Sequence, residues 1–217
     1  MRGASKLSPE AAILELIPAG DPTSLNFTEI FGRSAPLEID LGCGDGTFLT
    51  ALAKERPERN FIGVERMYGR SRSACRKLAS LRLTNARLLR TEISDLLEHL
   101  VSECSVDSFH LMFPDPWPKR RHESRRVVTR QFLQLIHVAL RTDGMLRIAT
   151  DQPDYFEQID RMARASENFK IDESGSGDRL PKSAFQQRYE RDGADIYRVV
   201  MRKVSSVREG FISQLPG

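Results

Sequence analysis

Acidic residues stand at or near the ends of three predicted strands in the first half of the sequence. Glu38 and Asp40 lie within the first strand, at residues 37–41, Glu65 follows the second strand, and Glu92 follows the third. Because the carboxyl ends of parallel strands meet at one edge of a sheet, we expect these carboxylates to share a ligand site. Carboxylates repel phosphate groups, attract cationic amines and accept hydrogen bonds from hydroxyl groups. The pattern therefore favours a nucleoside ligand that carries a cationic amine.

A glycine-rich turn follows the first strand directly. Gly42, Gly44 and Gly46 stand at alternate positions, which allows a tight turn and a close approach of the backbone to a ligand. A dinucleotide-binding fingerprint would place its third glycine at position 47, where this sequence has Thr47. We assign the three glycines and Asp40 to a ligand site, and the aminoacyl end of S-adenosylmethionine suits it. Asp40 has an alternative interpretation as a purely structural residue.

The second and third strand ends fit the rest of a nucleoside. An acid at the position of Glu65 accepts hydrogen bonds from both ribose hydroxyl groups. This excludes a 2′-phosphate, but it does not distinguish a nicotinamide dinucleotide from S-adenosylmethionine. At the third strand end, a side-chain oxygen of Thr91 or Glu92 can accept the adenine amino group. The acids together indicate the ligand class more specifically than the glycines do.

The segment 113–126 leaves the fourth predicted strand, beside the expected ligand. Three prolines stiffen its first half, which carries Asp115 and Trp117, the only Trp of the chain. Its second half, 119–126, contains five Lys or Arg residues and one Glu, and this composition suits a phosphate backbone with an aromatic ring on which a base can stack. The alternative is a solvated basic surface. The residues that we assign to nucleic acid contact are Lys119, Arg121, His122, Arg125 and Arg126.

The whole chain alternates between strand and helix patterns, which predicts an α/β fold with a doubly wound, mostly parallel, seven-stranded sheet. We expect residues 1–34 to form an N-terminal extension that is able to move, residues 35–217 to form the domain, and the polar residues 182–192 to form a loop. Asp151 follows the fifth strand and either faces the same crevice or caps the next helix. The predicted strands lie at 37–41, 61–64, 86–90, 108–113, 145–149, 169–172 and 196–203.

Composition limits the class of protein. The 217 residues suit one domain with a full core, and no apolar run approaches the roughly 20 residues that span a bilayer. The residues at the N-terminus make a poor signal peptide. Cys43, Cys75 and Cys104 are widely spaced and fit neither a disulfide framework nor a metal site, so we expect a reduced, cytoplasmic setting without a metal or membrane. The net charge of +3 is too small to indicate a polyanionic partner by itself.

Several runs of residues together resemble the bacterial tRNA (guanine-N7-)-methyltransferase family. They are the glycine turn, Phe-Pro-Asp-Pro-Trp-Pro-Lys at 113–119, Ala-Thr-Asp-x-x-x-Tyr at 149–155, and the Ile-Tyr pair at 196–197. The resemblance spans residues 35 to 203. It implies a class I, Rossmann-like methyltransferase fold, S-adenosylmethionine as donor with S-adenosylhomocysteine as product, and tRNA as partner. It further implies methylation at N7 of guanine 46 in the variable loop, by a monomer or a homodimer.

The resemblance also separates donor residues from substrate residues. Asp115 corresponds to the residue treated as catalytic. Ser183 and Gln186 stand in a late Thr-x-x-Glu motif, in which Ser keeps the hydroxyl group and Gln lacks the charge. Glu92 stands where the family usually has Asp. The positions that match donor contacts are Glu38, Glu65, Glu92 and Asp115. The positions that match substrate contacts are Lys119, Asp151 and the segment 121–126.

Three other functions stay open at this stage. A non-catalytic RNA-binding module could use a methyltransferase scaffold, although the intact acids at the donor site argue against it. A nicotinamide-dependent oxidoreductase would need the missing third fingerprint glycine. A methyltransferase for small molecules or proteins would leave the basic run without a role.

Overall fold

The computed structural model of the protein describes residues 7–12, 14–16, 24–173 and 180–204. The strands are β1 (Glu15–Leu16), β2 (Leu37–Leu41), β3 (Asn60–Val64), β4 (Ala86–Leu89), β5 (Val106–Met112), β6 (Leu140–Thr150), β7 (Phe169–Ile171) and β8 (Tyr197–Lys203). The α-helices are α1 (Pro9–Ala12), α2 (Phe27–Phe31), α3 (Thr47–Glu55), α4 (Tyr68–Ser80), α5 (Ile93–Asp95), α6 (Arg130–Ala139), α7 (Pro153–Arg164) and α8 (Ala184–Arg191). A π-helical turn spans Leu96–Leu100, and a 3₁₀ helix spans Arg120–Arg125.

The strands form one sheet in the order β1-β4-β3-β2-β5-β6-β8-β7. The first six strands in this order are parallel, and β8 runs antiparallel to both β6 and β7. The chain moves from β2 through β3 to β4 on one side and then returns to β5 on the other side of β2. The switch point therefore lies between β2 and β5, where ligands bind in folds of this kind.

Helices cover both faces of the sheet because the strands bury side chains on both sides. Residues of α1, α3 and α4 share one hydrophobic cluster with Phe61 and Leu88 of the sheet. Residues of α6 and α7 share a second cluster with Ile39 and Ile62. Successive strand side chains point to opposite faces, so that Phe61 and Ile62 enter different clusters. Among the described helices, none is long and apolar enough to span a bilayer.

The seven predicted strands are present as β2 to β8, and β1 makes an eighth that the sequence did not predict. The backbone N–H of Leu88 donates to Leu14 O (2.8 Å), and that of Arg90 donates to Leu16 O (3.4 Å). Two residues are too few to show an alternating pattern, and β1 exists because β4 offers it a free edge. Ala11 is also buried. The described part of the N-terminal extension therefore packs on the domain and does not stand apart from it.

The prediction of a loop at 182–192 is wrong, because residues 184–191 form helix α8. The Ser183 side chain caps this helix by accepting a hydrogen bond from the Gln186 backbone N–H (3.0 Å). The ring of Tyr189 packs on that of Phe113, with 5.3 Å between the centroids. The cap and this tertiary contact stabilise a helix of polar composition. Neither of them produces a periodic apolar pattern in the sequence, so the helix was not predicted.

Candidate active site

A cleft opens at the switch point, between the carboxyl ends of β2 and β5. It contains about 320 Å³ of empty space, part of it open to solvent. Its walls come from the end of β2, the glycine turn, the start of α3, the end of β5 and the residue before α8. The lining residues are Asp40, Gly42, Cys43, Gly44, Asp45, Thr47, Phe48, Met112 and Ser183.

The glycine turn forms one wall of the cleft in a conformation that requires glycine. Gly42, Gly44 and Gly46 have φ angles of 73°, 58° and 77°, in the left-handed region that side chains rarely adopt. A Cβ atom on Gly46 would lie 2.5 Å from the Cβ of Ala74 in α4. The glycines therefore allow the turn to bend over the strand end and helix α4 to pack against it.

Asp40 is the buried acid of this cleft. It is 3% exposed, and its Oδ2 atom has no hydrogen-bond partner among the described residues. Burial, together with the negative charge of Glu65, raises the pKa of Asp40 to about 8. A buried carboxyl group without a partner is costly, and a ligand that carries a cationic amine would supply the missing partner. The cleft therefore fits the aminoacyl end of S-adenosylmethionine.

Glu65 connects the end of β3 to the glycine turn. Its Oε2 atom accepts a hydrogen bond from the Gly44 backbone N–H (3.1 Å), and its Oε1 atom accepts one from the Met67 backbone N–H (2.7 Å). A carboxylate has about four acceptor sites, so these two bonds leave capacity for the hydroxyl groups of a ligand. Glu65 thus holds the turn in place and keeps acceptors at the rim of the cleft.

The other two predicted donor-binding acids lie elsewhere. Glu38 is 1% exposed and does not line the cleft, because its carboxylate is enclosed by His110, Arg56 and Arg59. The predicted ligand contact of Glu38 does not fit this structure, because its carboxylate already pairs with these three side chains. Glu92 precedes α5, and its exposed side chain pairs with Arg66 at 3.3 Å.

Asp115 is exposed on a turn that follows strand β5, three residues after Met112 in the cleft wall. The turn is anchored at both ends. The Phe113 backbone N–H donates to Ala149 O (2.8 Å), and the Pro116 carbonyl accepts a hydrogen bond from Arg126 Nε (2.9 Å). Phe113 and Trp117 have φ angles of 57° and 42°, which is an unfavourable conformation for residues with side chains. Such strained backbone persists where the surroundings enforce it, and it often marks a functional site.

The structure contradicts the assignment of Arg126 to nucleic acid contact. Arg126 is 6% exposed, its guanidinium lies 4.7 Å from the ring centroid of Tyr155, and its Nη1 atom donates to Gln158 Oε1 (2.5 Å). Together with the bond to Pro116, these contacts make Arg126 a clamp between helix α7 and the turn. No sequence signal distinguishes Arg126 from its neighbour Arg125, because its partners in α7 are distant in sequence.

The other residues of this segment that we assign to nucleic acid contact are accessible. Arg125 is exposed, with its guanidinium 4.9 Å from the ring centroid of Trp117. The ring of His122 meets that of Trp117 edge-on at 5.8 Å. Lys119 and Arg121 are exposed as well, and Arg121 Nε donates to His122 Nε2 (3.4 Å). These residues surround Trp117 with positive charge beside the Asp115 turn.

Of Asp151 and the described residues at the start of α8, only Ser183 lines the cleft. The cap position of α7 is Gln152, so Asp151 does not cap this helix. Asp151 is half-buried, and its Oδ2 atom accepts a hydrogen bond from Gln152 Nε2 (2.9 Å). Ser183 is 7% exposed and lines the cleft. Gln186 donates along the helix to Glu190 Oε1 (2.8 Å), and this bond directs its amide away from the cap.

Sequence reasoning missed one contact at the glycine turn. Lys77 Nζ of α4 lies 2.5 Å from Asp45 Oδ2 and 2.6 Å from Thr47 Oγ1, and both of these residues line the cleft. The ion pair lowers the pKa of Asp45 although partial burial opposes ionisation. Lys77 stands in a run of basic residues, so its spacing gave no signal. Among the described residues, no group of three or more His, Cys, Asp or Glu side chains is placed to hold a metal ion.

The chain is similar to known methyltransferases. A family model described as "Putative methyltransferase" matches residues 34–199. The tRNA (guanine-N(7)-)-methyltransferase of Shewanella sp. strain MR-4 is 34% identical over 190 residues, 85% of this chain and 79% of that protein. The protein of the same name from Aeromonas hydrophila is 33% identical over 207 residues, 90% of this chain and 86% of that protein.

A solved structure shares the fold. A SAM-dependent methyltransferase from Aquifex aeolicus has a TM-score of 0.54 and 14% sequence identity, and the match covers 82% of this chain and 88% of that chain. At this identity the likeness concerns the fold alone. With the family model over most of its length and with relatives above 30% identity, the chain belongs to the tRNA (guanine-N7-)-methyltransferase family.

Proposed function

We propose that this protein transfers a methyl group from S-adenosylmethionine to N7 of a guanine in tRNA, and that this guanine is guanine 46 of the variable loop. The observation that carries the proposal is the placement of two carboxyl groups at the same end of the sheet. Asp40 is buried in the cleft without a partner among the described residues, and Asp115 is exposed on the turn next to the same cleft. One suits a cationic donor, and the other suits an accessible base.

The donor side is supported by the chemistry of the cleft. S-adenosylmethionine carries an α-amino group, ribose hydroxyl groups and no phosphate. Asp40 would hold the amine, and Glu65 would accept hydrogen bonds from the ribose. The left-handed glycine turn would bring backbone N–H groups close to the donor. The donor supplies an electrophilic methyl group, and the protein supplies its position.

The acceptor side requires orientation more than proton transfer. N7 of guanine has an available lone pair, so no proton has to leave before attack. Asp115 would accept hydrogen bonds from the guanine edge and favour the positive charge that develops on the ring. Holding N7 in line with the methyl group can be worth roughly 7–11 kcal/mol in favourable cases. Asp115 is therefore an orienting and electrostatic residue in this proposal and not a general base.

The basic surface beside Asp115 supports an RNA substrate. Lys119, Arg121 and Arg125 are exposed around Trp117, and together they suit phosphate groups that flank an accessible base. A small-molecule substrate would leave this surface unused. A nicotinamide-dependent reaction would bring a pyrophosphate next to Asp45, and the negative charge of this acid disfavours it.

The decisive experiment is incubation of the protein with unmodified bulk tRNA and labelled S-adenosylmethionine, followed by nucleoside analysis. We expect labelled 7-methylguanosine, and a tRNA transcript with guanine 46 replaced by adenine should accept no label. Donor binding without turnover would indicate a non-catalytic RNA-binding protein. Label in another nucleoside would reject N7 of guanine as the target. We further propose that the enzyme works in the cytoplasm, as a monomer or a homodimer.

A further inference from the structure

Two large apolar side chains are exposed at the start of helix α4. Met67 and Tyr68 are each 49% exposed, and they follow Glu65 closely at the end of β3. Glu65 accepts hydrogen bonds from the backbone N–H groups of both Met67 and Gly44, so these residues stand beside the glycine turn that lines the cleft. Strand β2 lies between them and the Asp115 turn. The core does not require an exposed ring at this place, and exposed aromatic residues beside a binding site are common in recognition surfaces.

The ring of Tyr68 is held by two arginines. The guanidinium of Arg72, which is only 9% exposed, lies 5.0 Å from the ring centroid, and its Nη1 atom donates a hydrogen bond to the Tyr68 hydroxyl. The guanidinium of Arg90 lies 5.7 Å from the same centroid. Cation–π contacts with a buried guanidinium restrict the ring without covering its exposed part. Tyr68 thus offers a flat, orientationally restricted aromatic surface.

Glu15 of the N-terminal strand β1 contacts one of these arginines, Arg90. Glu15 Oε1 lies 3.2 Å from Arg90 Nε, and it also accepts a hydrogen bond from Ser71 Oγ (2.8 Å). Glu15 connects the edge of the sheet to helix α4 in this way. The unpredicted eighth strand therefore has a local consequence, because it holds Arg90, one of the two arginines next to the Tyr68 ring.

The surroundings of Tyr68 are basic. Helix α4 contains four Lys or Arg residues and no Asp or Glu. Arg70 is exposed two residues after Tyr68, whereas Arg66, two residues before it, is exposed but pairs with Glu92 at 3.3 Å. An exposed aromatic ring within a positively charged surface is the arrangement on which bases of single-stranded nucleic acids stack, and a ligand without negative charge would not benefit from it.

We propose that Tyr68 is a stacking surface for an unpaired base of the tRNA whose target guanine occupies the cleft, and that Arg70 contacts a neighbouring phosphate. This inference rests on the proposed function and adds a second RNA contact. The ends of β3 and β5 are separated by β2 alone, which is two strand spacings or roughly 10 Å. One RNA segment can therefore reach from the Asp115 turn across the cleft to Tyr68.

The test compares affinities for an unmodified tRNA transcript, measured by fluorescence anisotropy, with donor affinity measured by calorimetry. We expect Tyr68→Ala to weaken tRNA binding about 5- to 150-fold, the equivalent of roughly 1–3 kcal/mol for one stacked base. Tyr68→Phe keeps the ring and should bind tRNA nearly as the parent protein does. Leu81→Ala, at an equally exposed position beyond the other end of α4, is the matched control and should change nothing. Donor affinity should be unchanged in all three variants.

Arg70→Gln provides a second readout that does not depend on the ring. It should lower the slope of log K against log salt by roughly 0.7 to 0.9, the effect of one lost phosphate contact. Unchanged tRNA affinity in Tyr68→Ala overturns the inference, and so does a loss of donor affinity with tRNA affinity intact, which would make Tyr68 a cover for the cofactor. Nucleoside analysis of the parent protein keeps the two proposals apart. If it forms 7-methylguanosine while Tyr68→Ala binds tRNA normally, only the stacking inference fails.

Discussion

The Nε2 atom of His110 lies 2.7 Å from the Oε2 atom of Glu38, and both side chains are buried against one face of the sheet. The other carboxylate oxygen of Glu38 lies 3.3 Å from Arg56 and 3.0 Å from Arg59. Burial opposes ionisation of Glu38, but the hydrogen bond from His110 and the positive charges outweigh it and lower its pKa to about 2. Burial in turn lowers the pKa of His110, which favours its neutral form as a hydrogen-bond donor to Glu38. This cluster has a structural role at the centre of the fold.

We expect Glu38→Gln to lower the stability of the protein by about 3 kcal/mol at pH 7, since it leaves the half-buried Arg56 and Arg59 without their counter-charge and weakens the buried hydrogen bond from His110. The native pKa lies below the ordinary value, so this stabilisation is complete above about pH 4.5 and is lost as the pH falls towards 2. Thermal unfolding across this range should show the parent and the variant converging. Donor affinity is the control and should stay constant. A variant with normal stability and weak donor binding would indicate that Glu38 contacts the donor.

The pKa of Asp40 is shifted in the opposite direction from that of Glu38. With a pKa of about 8 it is mostly protonated at pH 7, and the approach of a cationic amine should make it release its proton. Calorimetric titration of the donor at pH 7 in two buffers of different ionisation enthalpy should therefore detect proton release. We expect Asp40→Asn to remove this release and to weaken donor binding.

The same substitution has a predicted effect on stability. Because the native pKa of Asp40 lies above its ordinary value of 3.8, stability falls as the pH rises from about 4 to 8, when the unfolded chain ionises and the native protein does not. Asp40→Asn should remove this penalty, so its Tm at pH 7 should exceed that of the parent protein by roughly 2–4 °C for each kcal/mol relieved. A lower Tm would mean that the Asp40 carboxyl group has a structural partner.

Arg125 and Arg126 are adjacent, yet they should affect different properties. Replacing Arg121 and Arg125 together by Gln should weaken tRNA binding and reduce its salt slope by roughly 0.7 to 0.9 for each lost phosphate contact. Arg126→Gln should instead lower the Tm and loosen the Asp115 turn, because it removes the clamp to Tyr155 and Gln158. Anisotropy titrations at several salt concentrations, with thermal unfolding of the same variants, separate the two effects. An unchanged slope in the double variant would identify a solvated surface.

Asp115→Asn should fold and bind tRNA, yet transfer methyl groups at a small fraction of the parent rate. Asn keeps the shape of the side chain, but its amide presents donors where the N–H groups of guanine need acceptors. The loss should fall on the chemical step, as expected for an interaction made in the transition state. Single-turnover assays across pH provide the measurement. Parent-like turnover would remove Asp115 from the centre of the site, and rescue at high pH would indicate a general base.

The mostly parallel sheet and the position of the cleft could be predicted from the sequence, because both depend on local patterns. Alternating strand and helix segments predict a parallel sheet, and the glycine turn after β2 marks the ligand edge. In this turn, Gly42, Gly44 and Gly46 have the positive φ angles that glycine adopts readily. The Pro-Asp-Pro-Trp run identified the Asp115 turn for the same reason, since prolines and a single aromatic residue restrict a short segment directly.

Only the tertiary structure decided which charged side chains face the ligand. Glu38 and Asp40 lie two residues apart on one strand and thus point to the same side of the sheet. They differ because His110, Arg56 and Arg59 surround only Glu38, whereas Asp40 opens into the cleft.

The same reason separates Arg126 from Arg125 and makes a helix of residues 184–191. In each case the deciding partner, Tyr155 for Arg126 and Phe113 for the Tyr189 ring of α8, is distant in sequence and is brought near by the fold. Strand alternation and turn chemistry act between neighbours in the chain, so the sequence by itself determined the sheet and the edge at which the ligand binds. The burial and pairing of charges depend on contacts between distant segments, so they were decided only when the chain had folded.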